Sequence, residues 1–110
     1  MSMSTWKLFL DDEREPVGTG WTVCRSVAEA IAVTDVFGLP SYISFDHDLG
    51  DGVAPVGYDN TGMGFAKWLA DQVMDGAHLP QDFDFYVHSQ NPIGADNIRS
   101  YMRRFLRHQH

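Results

Sequence analysis

Cysteine is almost absent from this sequence. The single cysteine, Cys24, has no partner for an internal disulfide, and a cysteine-rich zinc site is excluded. No apolar run approaches the roughly 20 residues that span a bilayer, and the first residues lack the basic and apolar regions of a signal peptide. With 110 residues, 44% of them hydrophobic, the chain predicts one globular domain over residues 1–110, with a cytoplasmic location and no membrane contact.

Basic residues are also scarce. Eight Lys and Arg stand against fifteen Asp and Glu, a net charge of −7 that argues against binding duplex DNA. Most of the acids are Asp, which favours turns and caps over helix interiors, so polar loops are expected. The positive charge is concentrated near the end of the chain, where Arg99, Arg103 and Arg107 are spaced by four residues. This row is either a solvated helix face or a surface for a protein partner or RNA.

Short apolar segments alternate with amphipathic ones along the chain. The strands are predicted over residues 7–10, 21–24, 42–45 and 84–87, and the helices over residues 26–38, 62–75 and 92–107. Ser26 and Glu29 have the spacing of a capping box, and Asn91 or Ser89 can cap the last helix. This alternation predicts an α/β fold, a three-layer α/β/α sandwich around a short, mostly parallel sheet of about four strands.

Polar side chains follow three of the predicted strands at the point where each strand ends. The three clusters are Asp11 to Arg14, Asp46 to Asp48, and His88 to Asn91. In open parallel sheets the ligand crevice lies outside the carboxyl ends of the strands. We therefore expect these side chains, distant in sequence, to meet at one edge of the sheet.

The acidic residues of these clusters are the candidate metal ligands. Crowded carboxylates repel one another, and a hard divalent cation such as Mg²⁺ or Mn²⁺ relieves the repulsion while leaving positions for phosphate oxygens. The alternative is that adjacent acids only cap turns and face water. The candidates are Asp11, Asp12, Asp46 and Asp48.

The cluster after the last strand has the groups that a phosphate site needs. Ser89 and Asn91 precede a helix whose free N–H groups favour an anion, and His88 can exchange a proton near neutral pH. Equally, Ser89 or Asn91 is only a helix cap and His88 a structural histidine. His47 is a candidate acid, base or ligand, or a histidine bonded to backbone, and it points away from Asp46 and Asp48 in an extended stretch.

Two further motifs have open interpretations. Arg14 can clamp a phosphate through two parallel hydrogen bonds, or pair with Glu13 or Asp48. Gly62 and Gly64 begin a helix, but no phosphate-loop lysine accompanies them, so they indicate turn chemistry.

Three strand motifs resemble a known fold family. LFLDDER, YISFDHDLG and YVHS resemble the first, third and fourth strands of response-regulator receiver domains. With the segments LFLDDEREP and VHSQNP, the chain more specifically resembles the cyclic-phosphate processing receiver-like family from Lys7 to Leu106. The resemblance implies a minimal receiver or flavodoxin-like fold without the first helix and the fifth strand. It also puts Asp46 at the phospho-accepting position.

The resemblance implies metal-dependent hydrolysis or transfer of cyclic or terminal phosphates on RNA ends or nucleotides. Mg²⁺ or Mn²⁺ is then held by the acids, and His88 or His47 transfers the proton, unless Asp46 attacks as a nucleophile. The phosphate is held by Arg14, Ser89 and Asn91. Two alternatives remain. The first is a degenerate receiver phosphorylated on Asp46, which the missing receiver lysine disfavours. The second is a non-catalytic module that binds a ligand or a protein through the arginine row.

Overall fold

Four parallel strands form the sheet. The computed structural model describes residues 6–109. Its strands are β1 (Lys7–Leu10), β2 (Trp21–Cys24), β3 (Tyr42–Phe45) and β4 (Asp84–Val87), and their order across the sheet is β2-β1-β3-β4. All three pairings are parallel. The predicted α/β class and the minimal receiver-like arrangement are therefore confirmed.

The described residues also form three helices, which are α1 (Val27–Phe37), α2 (Gly62–Met74) and α3 (Pro92–Arg107). Each begins behind a side chain that accepts the N–H of the residue three positions later, and the capping residues are Ser26, Thr61 and Asn91. Such a cap stabilises a helix by about 1 kcal/mol. None of the helices in this part of the chain is long and apolar enough to cross a membrane.

The helices lie in one layer on one face of the sheet. Helix α2 packs against both α1 and α3, so the described residues form two layers and not the expected three. The crossovers from β2 to β3 and from β3 to β4 run in the same direction across the sheet, and right-handed crossovers then place their helices on the same face. Only residues 11–20, without a helix, connect β1 to β2, and this leaves the second face without one.

The core lies between the helices and the facing side chains of the strands. Leu8, Leu10, Ile43 and Phe45 are fully buried there, with apolar residues of all three helices around them. Cys24 is in the same core, and burial, reinforced by the charge of Glu29, raises the pKa of its thiol to about 12. Cys24 is therefore a small apolar group of the core and not a nucleophile, since a raised pKa disfavours the reactive thiolate at neutral pH.

The other face of the sheet carries aromatic side chains. Phe9 meets Trp21 edge to face with ring centroids 5.7 Å apart, and Trp21 lies 5.8 Å from Tyr42. Because side chains alternate along a strand, this face continues past the strand ends as Asp11 and Asp46. The helix-free face therefore leads directly into the polar edge of the sheet.

Helix α2 begins in contact with the end of β3. The N–H of Gly62 donates to the carbonyl oxygen of His47 at 2.9 Å, and a Cβ at Gly62 would overlap the carbonyl oxygen of Asp46. The glycines of the TGMG motif thus allow a close approach between backbones, which agrees with their interpretation as turn chemistry. This contact fixes the chain direction just after Asp46.

We expect Gly62→Ala to destabilise the protein, because the backbone beside Asp46 must move to admit the methyl group. The free energy of unfolding should fall by about 1–3 kcal/mol in a urea titration. Lys67→Ala, at an exposed position on the same helix, is the matched control and should change stability by less than about 0.5 kcal/mol. Equal stability of the Gly62 variant and the control would contradict the close approach.

Candidate functional site

Three of the expected residues come together at the carboxyl edge of the sheet. Asp11, Asp46 and His88 follow β1, β3 and β4, and each offers one ligand atom within 4.8 Å of the others. These three strands are neighbours in the sheet, and the three residues continue its helix-free face. The structure thus brings together side chains that are 77 positions apart at the extremes.

Asp11 is the most deeply buried member of this group. Its side-chain Oδ1 accepts the N–H groups of Glu13 and Arg14, both at 2.9 Å, and its Oδ2 lies 2.9 Å from Nε2 of His88. Burial alone would raise the pKa of Asp11, but these hydrogen bonds outweigh it and hold the pKa below its usual value. Asp11 is therefore ionised at neutral pH although only 1% of it is exposed.

His88 is held on three sides. Nε2 faces Asp11, Nδ1 lies 2.7 Å from Oγ of Ser44, and the ring stacks on Phe9 with centroids 4.6 Å apart and planes 6° from parallel. Ser44 is buried, so its hydroxyl serves the histidine and not a ligand. Our sequence reasoning missed Ser44. Its signal was the alternation in β3, which puts residue 44 on the same face as residue 46.

Asp46 carries the opposite pKa shift. Burial and the charge of Asp11 raise its pKa, although the N–H of His47 at 2.8 Å and the hydroxyl of Ser89 partly oppose the shift. A raised pKa means that the second carboxylate of the site is ionised at a cost. A bound cation would remove this cost.

The two other acidic candidates lie on the walls of a cleft of about 500 Å³ that Asp11 and Asp46 also line. The carboxylate of Asp12 is beside Gly50, where a Cβ would lie 2.9 Å from it. Asp48 is exposed, and a hydrogen bond from the ring of His47 holds its pKa below the usual value. Neither acid belongs to the tight group of three, so their roles as metal ligands stay predictions.

His47 lies on the helix side and is not among the residues that line the cleft. Its Nδ1 is 2.8 Å from Oδ1 of Asp48, and its ring packs on the first turn of α3, where a Cβ at Gly94 would lie 2.5 Å from Cγ. The expected alternation is therefore observed, with Asp46 and Asp48 on the cleft and His47 turned away from it. A catalytic role for His47 stays a prediction.

The candidate phosphate ligands all line the cleft. Of the two candidates for the helix cap, Asn91 is the cap, since its Oδ1 accepts the N–H of Gly94, whereas Oγ of Ser89 accepts the N–H of Asn91 at 3.0 Å. The guanidinium of Arg14 donates to the carbonyl oxygen of His88 at 3.3 Å. Among residues 6–109 it forms no salt bridge with Glu13 or Asp48, which leaves most of its donors for an anion.

Arg25 is a further residue of this edge that our sequence reasoning did not find. Its Nη1 donates to the carbonyl oxygens of Asp11 and Arg14, at 3.1 and 2.6 Å, and its Nη2 is paired with Glu15. It thereby ties down the connection from β1 to β2. The signal was available, since Arg25 follows β2 directly and that strand end was not considered with the other three.

The donor set fits a divalent cation. Two carboxylates suit Mg²⁺ or Mn²⁺, and an imidazole nitrogen as third donor favours a transition metal such as Mn²⁺. In that state Nε2 of His88 would be unprotonated, and Nδ1 would donate its proton to Oγ of Ser44. A hydrogen bond of this kind commonly orients a histidine ligand.

A parallel four-stranded sheet that carries an aspartate cluster at its carboxyl edge defines a receiver-like domain. The profile of the family described as the cyclic-phosphate processing receiver domain matches residues 6–104. The chain belongs to this family. No curated protein and no solved structure matches the chain.

We expect Asp46→Asn to stabilise the protein in the absence of metal. Because the pKa of Asp46 is raised on folding, its ionised form opposes folding above the unfolded-state pKa, and the cost disappears as the pH falls through the folded-state pKa. The variant should thus have the higher Tm in EDTA at pH 7, with a smaller difference at pH 4.

Asp48→Asn is the matched control for that measurement. The pKa of Asp48 is lowered on folding, so its charge favours folding, and this variant should be no more stable than the parent at pH 7. A lower Tm for Asp46→Asn at pH 7 would show that the carboxylates of Asp11 and Asp46 do not repel one another.

Ser44→Ala should weaken metal binding by about 10- to 100-fold, because Nδ1 of His88 loses the partner that orients the ring. Isothermal titration with Mn²⁺ measures the affinity directly. Ser41→Ala, a serine just before the same strand whose hydroxyl bonds to the backbone of Trp6, is the control. Unchanged Mn²⁺ affinity in Ser44→Ala would mean that His88 is not a metal ligand.

Proposed function

We propose that this domain binds Mg²⁺ or Mn²⁺ at its acidic edge and hydrolyses cyclic or terminal phosphates of nucleotides or RNA ends. The observation that carries the proposal is the group formed by Asp11, Asp46 and His88, whose two carboxylates line the cleft. Membership of the cyclic-phosphate processing family supports the substrate class.

The walls of the cleft favour an anionic ligand next to the acidic group. Arg14 lies on one wall, and the first turn of α3, with Ser89 and Asn91, lies on another. The start of this helix carries a partial positive charge that attracts phosphate, although Pro92 has no N–H and the N–H of Gly94 is already bonded to Asn91. A phosphate held there would repel the nearby carboxylates of Asp11 and Asp46. A cation bound between them would remove this repulsion.

The residues of the group have separate roles in this proposal. Asp11 and Asp46 hold the cation, which when bound supplies a Lewis acid and lowers the pKa of water. Nε2 of His88 lies 2.9 Å from Oδ2 of Asp11 and has one of two roles. It is a third ligand of the cation or it moves the proton, because one ring nitrogen cannot do both at once. Arg14 leaves the carbonyl oxygen of His88 to bind the phosphate.

Turnover of 2′,3′-cyclic nucleotides and of RNA oligonucleotides with 2′,3′-cyclic ends tests the proposal directly. We expect product formation with Mg²⁺ or Mn²⁺, none with EDTA, and a loss of at least about 100-fold in kcat for His88→Ala. Asp51→Asn removes one exposed charge from the adjacent loop and is the matched control, with kcat unchanged.

Three results would count against the catalytic proposal. They are the absence of turnover with either metal, turnover that EDTA leaves intact, and activity that survives in His88→Ala. A His88→Ala protein that binds Mn²⁺ as the parent does but lacks turnover would assign the histidine to proton transfer. Loss of Mn²⁺ binding would assign it to the metal.

The alternative of a phosphorylated receiver has less support. Asp46 does follow β3 and contacts Ser89. The chain has only two lysines, however. Lys7 lies over the ring of Trp21 at the opposite end of β1, and Lys67 is exposed on α2, so neither can support a phosphate on Asp46. Treatment with acetyl phosphate and Mg²⁺, followed by intact mass, distinguishes the two functions.

A further inference from the structure

Strand β4 is an edge of the sheet. The N–H groups of Asp84 and His88 point to β3, where they donate to Ser41 and Phe45. Because backbone groups alternate along a strand, those of Phe85 and Val87 point away from the sheet. No strand pairs with this side of β4 in the part of the chain that the structure describes. The N–H of Phe85 is bonded to Oδ1 of Asp84 at 2.8 Å, which leaves the N–H of Val87 for an external acceptor.

A groove of about 620 Å³ lies between this edge and α3. All four residues of β4 line it, and α3 contributes Arg99, Arg103, Leu106 and Arg107. Strand and helix therefore run side by side along its length. Phe85 and Leu106 give it apolar surface. Its three arginines outnumber the one carboxylate, Asp84, so the groove is positive in a chain whose net charge is −7.

The three arginines form a regular row along the groove. Their spacing of four residues separates them by about 6 Å along the helix axis. Arg99 is paired with Asp96 at 2.9 Å, whereas no carboxylate within residues 6–109 pairs with Arg103 or Arg107. Both of these side chains are exposed.

We propose that the groove binds an acidic peptide in extended conformation, which adds to β4 as a fifth strand. Side chains on one face of a strand recur about every 6.6 Å, close to the spacing of the arginines. Acidic side chains at alternate positions of the peptide then meet Arg103 and Arg107. The intervening apolar side chains lie on the other face of the sheet beside Tyr86, which is 58% exposed. Backbone pairing supplies affinity, and the arginines supply selectivity.

The free strand edge favours a peptide over a nucleic acid. An RNA backbone offers phosphates for the arginines but has no amide groups to pair with Phe85 and Val87. The charge of the groove also favours an acidic partner over a basic one. The groove is separate from the acidic cleft, and the proposal does not depend on catalysis.

A synthetic eight-residue peptide that alternates Glu and Val tests the proposal, with binding measured by fluorescence anisotropy on the full chain. The double variant Arg103→Gln, Arg107→Gln should weaken binding by at least about tenfold. Arg104→Gln is the matched control, because Arg104 lies on the same helix but does not line the groove, and it should change affinity by less than about twofold. Two further peptides carry N-methyl groups at the odd or at the even positions, and the one whose methyl groups face β4 should not bind.

Four outcomes would overturn the proposal. The first is no binding of the Glu–Val peptide at about 1 mM. The second is equal binding of a Lys–Val peptide, which would show that charge does not matter, or of both N-methylated peptides, which would show that strand pairing does not matter. The third is binding of oligouridylate instead, with the same arginine dependence. The fourth is a concentration-dependent dimer, in sedimentation, that the double arginine variant abolishes.

Discussion

The buried carboxylate of Asp11 is the group on which the arrangement of the site depends. Its Oδ1 bonds turn the chain immediately after β1, and its Oδ2 fixes the ring of His88 from β4. Burial and the charge of Asp11 together raise the pKa of Asp46, so that β3 contributes a carboxylate that favours a positive partner. One side chain thus links three strands and makes a second negative charge beside it unfavourable.

This arrangement is possible because the connection from β1 to β2 contains no helix. The face that would otherwise be covered carries Phe9, Trp21 and Tyr42, and the ring of His88 rests on Phe9. Stacking on the ring of Phe9 therefore supports His88. Arg25 holds the residues that connect β1 to β2 at the edge of the sheet. Because no helix layer covers this face, aromatic side chains support the site while its polar edge stays accessible.

Local patterns in the sequence predicted the elements and the strand ends well. Short apolar segments that stop at acids or at His88 have few other interpretations, and Ser26 and Asn91 mark helix starts by their hydrogen-bonding chemistry. The parallel sheet then requires the strand ends to meet. The position of Asp11 and Asp46 at the same edge follows from these facts, whereas their contact also depends on β1 and β3 being neighbours in the sheet.

The layering and the fine contacts could not be obtained in the same way. Whether helices cover one face or two depends on strand order, which no local pattern states. The contact between His47 and Gly94 depends on how closely α3 approaches the end of β3, which is a tertiary property. Ser44 and Arg25 could have been found from the sequence. The alternation in β3 indicates Ser44, and Arg25 directly follows β2, a strand end that was not considered.

The buried position of Cys24 has a practical consequence for experiments in solution. Its thiol, with a pKa of about 12, does not react with maleimides or other thiol-directed reagents while the domain is folded. A cysteine introduced on the surface would then be the single accessible attachment point for a spin label or fluorophore. No other residue would have to be substituted, and labelling of Cys24 itself would report unfolding.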